Sequence, residues 1–416
     1  MKVLVLGADG FIGRHIAFHL RAKGCDVIAH CRTPSRLAQM GFATLAADLT
    51  DPACHKAAFW RAHLPPDCAI VNAAGLLTGS AAAFRAVHVL APAAAYGAGA
   101  PVVLLSAVGI QADTPFASWR REGEAVALAA GAMVLRAGLV MADSSYGGSS
   151  LIRALAALPL ATPLVGKGDQ RFNPIHAEDL AEVIHACLTA GPGTGVWEIG
   201  GPETINQSGL IAAVRGWLGL PPRRVLPLPL GLAKALGRIG DALRLGPISA
   251  TAVAQLEAGV LADPAPLLQR IACRPRGLSQ FLAARPAGSQ DLWHARLYLI
   301  KPLIRLSLAV MWLGSAALGL WLDPDKFLPA VPGLPAALAI GLARGGGLLD
   351  AAIGLALLRN WKPRALATAQ IAMVLGYTVG LSVIAPALWL DPFGGLLKNL
   401  PVLALLLVHL ALIEER

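Results

Sequence analysis

Charged side chains are scarce in this sequence. Asp, Glu, Lys and Arg make up 14% of the 416 residues, whereas roughly 25% is usual in soluble domains. Hydrophobic residues reach 56%, above the usual range of about 45–50%. This shortage of charge argues against a wholly soluble or disordered chain. It indicates membrane-spanning segments, in a chain long enough for two or three domains.

Signals for metal binding and for secretion are lacking as well. The six cysteines have no Cys-x-x-Cys or other metal-ligand spacing, so we expect reduced, mostly buried thiols and no metal site. The apolar run Val3–Leu6 is too short for the core of a secretory signal. The N-terminal part should therefore stay in the cytosol.

The sequence also lacks a basic stripe with interleaved aromatic residues, although its formal net charge is +10. Nucleic acid is therefore not an expected partner. An anionic cytoplasmic membrane surface accounts for the positive charge more economically.

Four windows without a charged side chain occur near the C-terminus. A membrane span needs about 20 apolar residues. The first window can extend back to Pro302, the second on to Leu358 and the fourth back to Pro392. A soluble bundle would need exposed polar faces, which these windows do not offer, so we predict four spans. The windows are Leu306–Leu322, Phe327–Ala343, Ala365–Leu390 and Asn399–Ile413.

The charges that flank these windows predict an orientation. Basic residues in short loops stay on the cytoplasmic side of a membrane. We therefore expect a multi-pass protein of the inner, or cytoplasmic, membrane, with the N-terminal domain and the C-terminus in the cytoplasm. The basic side carries Arg296, Lys301, Arg305, Arg359, Lys362, Arg364 and Arg416, and the other side carries Asp323, Asp325, Lys326 and Asp391.

Ionisable residues also occur within the predicted spans, at Arg344, Asp350 and His409. Such groups are costly at membrane depth and often mark function. One interpretation is a structural polar contact between helices, and the other is a quinone or proton site. The glycines at 345–347 favour a break in the second span between Arg344 and Asp350.

The N-terminus has the pattern of a nucleotide-binding turn. Gly7, Gly10 and Gly13 follow an apolar strand over residues 2–6 and precede a helical run over Phe11–Ala22. Glycines at this spacing allow a tight turn and bring backbone N–H groups to a pyrophosphate. Further strands are predicted at Asp26–His30, Ala43–Ala46, Ala69–Asn72, Pro101–Ser106 and Ala132–Arg136. Helical stretches separate them, which predicts an α/β doubly wound parallel sheet, the Rossmann fold, followed by an all-α four-helix transmembrane bundle.

The end of the second strand predicts which dinucleotide binds. An acidic residue there would bind the ribose 2′-hydroxyl of NAD, whereas this chain has Arg32 and then Arg36. Arginine favours the 2′-phosphate, so NADP(H) is expected over NAD(H). Arg36 can equally be a solvated helix charge.

Over roughly residues 1–290 the chain resembles the extended and atypical short-chain dehydrogenase/reductases. The resemblance rests on the glycine motif, Asp48-Leu49, Asn72-Ala-Ala-Gly75, and the segments 135–138, 173–181 and 198–202. It implies that Asp48 contacts adenine and that Ala73, Ala74 and Gly75 line the ribose and pyrophosphate. The alternatives are a helix N-cap for Asp48 and close packing for the Ala-Ala-Gly. The predicted cofactor-binding residues are Gly7, Asp9, Gly10, Phe11, Ile12, Gly13, Arg32, Asp48, Leu49, Ala73, Ala74 and Gly75.

The chain departs from this family at the catalytic pair. Active members use Tyr-x-x-x-Lys, and the matching residues here are Phe116 and Arg120. Phenylalanine has no proton to donate, and arginine does not replace lysine. Ser106 and Tyr146 are the remaining candidate proton donors, although a structural or substrate contact suits each of them better. This departure argues against conventional carbonyl reduction or 4-epimerisation, but it does not argue against dinucleotide binding.

The chain most resembles the atypical branch of the family, which includes the NADPH-binding accessory subunit of respiratory complex I and NmrA-like redox sensors. Members of that branch bind a dinucleotide and often lack the Tyr/Lys pair. The C-terminal part resembles the DoxX-like four-helix membrane proteins through Trp312-Leu-Gly, Gly347-Leu-Leu-Asp350 and the segment 389–401. Relatives of that family have been linked to quinone-coupled redox chemistry, so the resemblance implies an electron-transfer setting without naming a substrate. Three functions follow: an oxidoreductase acting on an apolar or quinone-type acceptor, a non-catalytic dinucleotide sensor or assembly factor of a membrane complex, and an NAD-dependent epimerase/dehydratase-like enzyme.

Three domains are predicted along the chain. Residues 1–206 should form the dinucleotide-binding domain, 207–295 a small cap, and 296–416 the membrane domain. Within the cap, Leu232, Leu236, Ile239 and Leu243 repeat at helical spacing. This pattern fits an ordinary amphipathic cap helix or a membrane-surface helix. Ser289–Arg296 is expected to be a short linker that holds the soluble part against the bilayer.

Overall fold

A computed structural model describes residues 1–76, 79–246, 248–331, 333–392 and 394–413. Arg416, on which part of the predicted orientation rests, and Phe393 of the segment 389–401 lie outside the described residues. The chain divides into two compact units. The first comprises Met1–Gly237 and Pro247–Ala295, and the second comprises Arg238–Gly246 and Arg296–Arg416.

The first unit is built on a seven-stranded parallel sheet. Its order is β11-β6-β5-β4-β1-β2-β3, which confirms the doubly wound fold predicted from the sequence. The predicted strand positions agree with the observed ones to within one residue at each end. The strands are β1 (Lys2–Leu6), β2 (Asp26–Cys31), β3 (Ala43–Ala46), β4 (Cys68–Asn72), β5 (Val102–Ala107), β6 (Met133–Ala137), β7 (Val140–Met141), β8 (Ala161–Val165), β9 (Arg171–Phe172), β10 (Ile175–His176), β11 (Gly195–Ile199), β12 (Ile205–Asn206) and β13 (Arg224–Leu228).

Helices cover both faces of this sheet, which is why its central strands are continuously apolar. The residues Val3–Leu6 of β1 are completely buried. A π-helical turn, Ala86–Leu90, joins α4 to α5. The helices of this part of the chain are α1 (Phe11–Ala22), α2 (Ser35–Gln39), α3 (Ala57–His63), α4 (Ala81–Arg85), α5 (Ala91–Tyr96), α6 (Pro115–Ala129), α7 (Gly148–Ala156), α8 (Ala177–Ala190), α9 (Gln207–Trp217), α10 (Leu230–Ala242), α11 (Ala250–Ala258), α12 (Ala265–Leu268) and α13 (Leu278–Ala284).

Smaller two-stranded sheets extend the carboxyl edge of the main sheet. They pair β10 with β7, β12 with β9, and β13 with β8. Around them, α7, α9 and α13 enclose a separate apolar core that includes Leu210, Val214 and Phe281. This core positions the loop that follows β7.

The second unit is helical. Four helices, counted over the described residues, are long and apolar enough to cross a membrane, in agreement with the four predicted spans. Trp312 donates from its indole Nε1 to Oε1 of Gln370 at 2.8 Å, a buried bond between two of these helices. The helices are α14 (Ser289–Trp321), whose residues up to Ala295 belong to the first unit, α15 (Pro324–Phe327), α16 (Ala336–Leu358), α17 (Pro363–Ile384) and α18 (Asn399–Ile413).

Several predicted boundaries in this unit were wrong. The second long helix begins at Ala336, not at Phe327, because prolines interrupt the intervening stretch, and Pro335 is its N-cap. The third ends at Ile384, two residues before Pro386. Ser289–Arg296 is not a linker but the first turns of α14.

The predicted break at 345–347 is absent, since α16 runs unbroken through these glycines. Arg344 donates to the carbonyl oxygens of Gly319 at 2.8 Å and Leu322 at 3.0 Å. Asp350 accepts a bond of 2.6 Å from the Ser315 hydroxyl. Arg344 and Asp350 therefore do not pair with each other. Each of them bonds instead to residues of α14 or just beyond its end.

Candidate functional site

The glycine turn is held against the loop that follows β4. Gly7 has a φ of 73°, and a Cβ there would lie 2.8 Å from the Cα of Ala74. At Gly13 a Cβ would lie 2.0 Å from the carbonyl oxygen of Gly7. Any side chain at either position would collide with backbone. The two glycines therefore let the end of β1, the start of α1 and the β4 loop approach one another closely.

The N-terminus of α1 can receive an anion. Its N-cap is Gly10, which is extended at φ −72° and ψ 168° and has no side chain to occupy the first N–H groups. Those groups and the positive end of the helix dipole suit a pyrophosphate. Phe11 follows, and its ring stacks on that of Tyr146 with centroids 6.3 Å apart. Tyr146, a candidate proton donor, thus lies at this turn.

Three arginines surround the end of β2. Arg32 follows the strand directly and is exposed, and Arg36 lies on α2. Arg14, in the first turn of α1, has its pKa lowered by burial and then by the charge of Arg36. Two of these cations are thus close enough to repel each other, and the carboxylate of Asp9 offsets part of this repulsion.

Asp48 follows β3 near the same corner. Its Oδ1 accepts bonds from the backbone N of Thr50 at 2.9 Å and from the Thr50 hydroxyl at 2.8 Å. These bonds lower the pKa of the Asp48 carboxyl. The following helical turn is capped instead by Asp51, which accepts from the N of Ala53. Asp48 therefore stabilises its own turn, with Leu49 buried beneath it.

The loop after β4 is shaped by Asn72. Its Oδ1 accepts from the backbone N of Ala74 at 3.0 Å, and its Nδ2 donates to the Tyr96 hydroxyl at 2.7 Å. Burial raises the pKa of Tyr96, so this phenol stays neutral. The side-chain amide thus fixes the path of residues 73–75 past the glycine turn.

Arg120 lies against this loop. Its Nη1 donates to the carbonyl oxygen of Leu105 at 3.0 Å, and a Cβ at Gly75 would lie 2.6 Å from its Nη2. The guanidinium carbon is 5.5 Å from the ring centre of Phe116, within cation–π range. Burial lowers the pKa of Arg120. The pair that replaces tyrosine and lysine is therefore packed together beside the predicted ribose site.

The nearest acidic residue on the same helix has another partner. Glu124 is buried and accepts from Nη2 of Arg136 at 2.6 Å. Arg120 has no carboxylate within salt-bridge distance among the residues that the structure describes. Ser106, at the end of β5, is buried and its hydroxyl has no hydrogen-bond partner in that part of the chain.

Two buried histidines near these loops were not predicted from the sequence. Nε2 of His88 accepts from the backbone N of Leu76 at 3.1 Å, and burial with the nearby Arg120 lowers the pKa of His88 to about 4. Nδ1 of His30 accepts from the N of Gly7 at 3.4 Å, and burial lowers its pKa to about 4 as well. Both rings, in neutral form, brace the loops that are predicted to hold the cofactor. Of the two, only His30 could have been found from the sequence, because it is a polar residue inside an apolar strand.

A second polar cluster lies beyond β7 and was also missed. Arg153 is buried and donates to the carbonyl of Ala142 at 2.6 Å and to Asp291 at 3.3 Å. Arg285 donates to Asp291 at 2.8 Å. The two arginines line a small pocket together with His176 and Trp217. Asp291 comes from the segment that was predicted to be a linker, so no local signal could have found it.

The segment 173–181 contributes His176 to this pocket. Its Nε2 is 3.7 Å from Asp143, and burial lowers the pKa of His176. The following Asp179 holds Arg276, whose Nε is 2.9 Å from Oδ1. The charged residues of this segment are thus largely committed to bonds within the protein.

Two protein families match the chain. Residues 3–91 match the NAD dependent epimerase/dehydratase family. Residues 309–407 match the DoxX-like family. No curated protein matches the chain significantly.

Similar solved structures include two dTDP-glucose 4,6-dehydratases. DesIV of Streptomyces venezuelae, solved with NAD bound, is 17% identical and covers 71% of this chain and 98% of its own, with a TM-score of 0.54. The enzyme of Bacillus anthracis, in complex with NAD, is 14% identical and covers 68% of this chain and 96% of its own, with a TM-score of 0.52. At these identities the likeness is one of fold.

The matches and the architecture agree with the sequence-based resemblance. The N-terminal part is similar to an epimerase/dehydratase domain, and the C-terminal part is similar to a DoxX-like domain. With four apolar helices in the described chain, it is a membrane protein.

Proposed function

We propose that this protein is a membrane-anchored NADP(H)-binding oxidoreductase that reduces an apolar, quinone-type acceptor. The observation that carries the proposal is a tight glycine turn at an uncapped helix N-terminus, together with a family catalytic position that has no phenol. Gly7 and Gly13 leave no room for a side chain, whereas Phe116 and Arg120 stand where the family has its acid/base pair.

The residues present fit a nicotinamide dinucleotide. The first turn of α1, capped by Gly10, would hold the pyrophosphate, and the loop of Ala73, Ala74 and Gly75 would pass along the ribose. Asp48 offers its second carboxylate oxygen toward the adenine side, since Oδ1 is taken by Thr50. Once bound, the reduced nicotinamide supplies a hydride.

NADP(H) rather than NAD(H) is proposed because of the charge at the end of β2. Arg14, Arg32 and Arg36 bring three positive charges to a corner where NAD would need an acidic partner. Arg32→Asp should weaken NADPH binding by roughly 10- to 100-fold, the worth of one or two charge-assisted hydrogen bonds, and leave NADH nearly unchanged.

The dissociation constants of NADPH and NADH, measured by fluorescence titration, check this preference. As a control, Lys2→Asp makes the same change of charge at the start of β1, the end of that strand away from the glycine turn. It should alter neither dissociation constant. An unchanged NADPH to NADH ratio in Arg32→Asp would remove Arg32 from the cofactor site.

The lack of a phenol at position 116 should favour some classes of hydride acceptor over others. Hydride addition to a ketone creates an alkoxide, a strong base that needs a proton donor in place. Hydride addition to a quinone gives a much weaker base, which can take its proton from water. Phe116 therefore penalises carbonyl reduction far more than quinone reduction, and an apolar quinone is an acceptor that a membrane protein can encounter.

The test uses the full chain in detergent, loaded with NADPH. Absorbance of the reduced nicotinamide is followed on addition of quinone analogues, and then of common ketones, aldehydes and nucleotide sugars. We expect oxidation with quinones and little with the other compounds. Bound NADPH that persists with every quinone would refute the proposal.

A second candidate is a non-catalytic dinucleotide sensor or an assembly factor for a membrane complex. The contacts of Arg120 favour it, because its guanidinium fills the space over Gly75 and bonds to the carbonyl of Leu105. The same assay separates the two functions, since a sensor binds NADPH without consuming it. For either function, Arg120→Lys alone should not raise NADPH oxidation, because the proton donor would still be missing.

A further inference from the structure

Helix α10 presents three different faces. Its large apolar residues Leu232, Leu236 and Ile239 are 50%, 42% and 52% exposed. They are spaced at i, i+4 and i+7 and therefore share one face. A neighbouring face, of Ala233, Gly237 and Gly240, is buried. The arrangement is the reverse of a soluble helix, which turns its large apolar residues inward.

Close packing through small residues fixes this orientation. A Cβ at Gly237 would lie 2.8 Å from the backbone N of Ala250 and 2.9 Å from the carbonyl carbon of Ser249. The helix can therefore not rotate to bury Leu236 without opening this contact. The exposed apolar face is built into the fold rather than left over from loose packing.

The end of α10 belongs to the membrane unit. Arg238–Gly246 groups with the apolar helices rather than with the sheet. Arg305 of α14, which is buried, donates from Nη2 to the carbonyl oxygens of Leu243 and, at 3.3 Å, Arg244. Arg305 directly precedes the charge-free run of α14 that begins at Leu306. The segment that follows α10 is thus tied to the position where the first span enters apolar surroundings.

The exposed charges of α10 and of the turn that follows it are net basic. Arg238 and Arg244 are exposed beside one acidic residue, Asp241. Lys234 is paired with Glu257 at 3.1 Å. A helix with a basic side and an apolar side suits the boundary between headgroups and acyl chains of anionic lipids.

We propose that α10 lies in the lipid–water interface, with Leu232, Leu236 and Ile239 inserted among the acyl chains and with Arg238 and Arg244 at anionic headgroups. Such helices sit about 5–10 Å into the boundary region. The protein then contacts the bilayer with one in-plane helix in addition to its four long apolar helices.

The test places a fluorescent probe on the full chain in lipid nanodiscs. The six native cysteines are free and buried, so an introduced surface cysteine can be labelled selectively. Leu236→Cys and Arg238→Cys are the matched pair, because two helical residues point about 200° apart. Lipids that carry a quencher high on the acyl chain should strongly reduce the fluorescence of the probe at 236 and barely affect that at 238. The loss at 236 should grow when anionic lipid replaces zwitterionic lipid.

Ile239→Cys provides a second probe on the apolar face in case Leu236→Cys unfolds, as judged by thermal melting. Equal, weak quenching at 236, 239 and 238 would overturn the proposal. It would also be overturned by energy transfer between labelled copies in one nanodisc with no quenching by lipid, which would mean that a second copy covers the face.

Discussion

At the scale of single residues, Arg120 carries a charge that the protein itself leaves poorly balanced. Its Nη1 has a carbonyl partner in Leu105, but its Nε has none among the described residues. Glu124, one turn away, is committed to Arg136. A buried guanidinium without a carboxylate is costly unless a ligand supplies oxygen atoms. The ribose hydroxyls and phosphates of a dinucleotide are oxygen ligands of this kind.

The buried histidines make the cofactor loops sensitive to acid. The pKa of His88 is lowered from 6.5 to about 4, so the folded state keeps the ring neutral where the unfolded chain would protonate it. Stability is therefore full above about pH 6.5, falls as the pH drops toward 4, and levels off below that. At about 1.36 kcal/mol per pKa unit, His88 accounts for a loss of roughly 3 kcal/mol at most. His88→Gln keeps an acceptor for Leu76 but cannot protonate, and it should reduce this acid-induced loss.

Thermal melts of the detergent-solubilised protein between pH 7.5 and 4.5 provide the measurement. His63→Gln removes an exposed ring and should keep the wild-type dependence on pH. His30, shifted in the same direction, should leave a residual acid effect in His88→Gln. Identical pH profiles for the wild type and His88→Gln would contradict the assignment.

The role of a single residue could be predicted from the sequence where that role is set by its neighbours in the chain. Gly7 and Gly13 were predicted from spacing, because a tight turn and a close helix approach are set by a few neighbouring residues. The contact of Arg153 with Asp291 joins residues 138 positions apart and leaves no trace in either local pattern. The same holds for Arg120 over Gly75, where only the motif position was predictable.

At the scale of elements, buried parallel strands were predictable because both of their faces are apolar. Ala43–Ala46 was predicted with its observed ends. The glycines at 345–347 were misread as a break, because sequence alone does not distinguish a weak helix from a close helix contact. In the structure a Cβ at Gly347 would lie 3.1 Å from the carbonyl carbon of Gly319, so the small residues serve helix packing.

The crossing of α14 and α16 gives a prediction for this scale. A Cβ at Gly319 would lie 2.8 Å from the carbonyl oxygen of Ala343 and 3.0 Å from the Cα of Gly347. Gly319→Ala should therefore force the helices apart and destabilise the membrane unit by about 1–3 kcal/mol. Thermal unfolding in detergent, followed by far-ultraviolet circular dichroism, measures the effect.

Gly314 is the matched control on the same helix, since a Cβ there meets no atom of the described residues within 4 Å. Gly314→Ala should be neutral or slightly stabilising, because alanine favours a helix by up to about 1 kcal/mol. Equal melting temperatures for the two variants would mean that this crossing does not hold the helices together.

At the scale of the whole molecule, a sheet domain and a membrane domain were predictable because their compositions differ so strongly. Where one passes into the other was not predictable. Ser289–Arg296 looks like a polar linker, yet Asp291 is anchored by Arg285 and the segment is the first part of α14. Polar residues near a membrane helix can be solvated or held by distant charges, and only the fold decides between these.

The distribution of charged residues also predicts the orientation of the whole molecule in the membrane. Lys301 and Arg305 near the start of the first span and Arg359, Lys362 and Arg364 between the second and third lie on one predicted side. The other side has three aspartates and one lysine in its loops. Because basic loops are retained in the cytoplasm, a fluorescent reporter fused after Arg416 should fold and fluoresce there, with the sheet domain on the same side. An alkaline phosphatase fused after Lys326 should be active outside, and the opposite pair of signals would refute both the four spans and their direction.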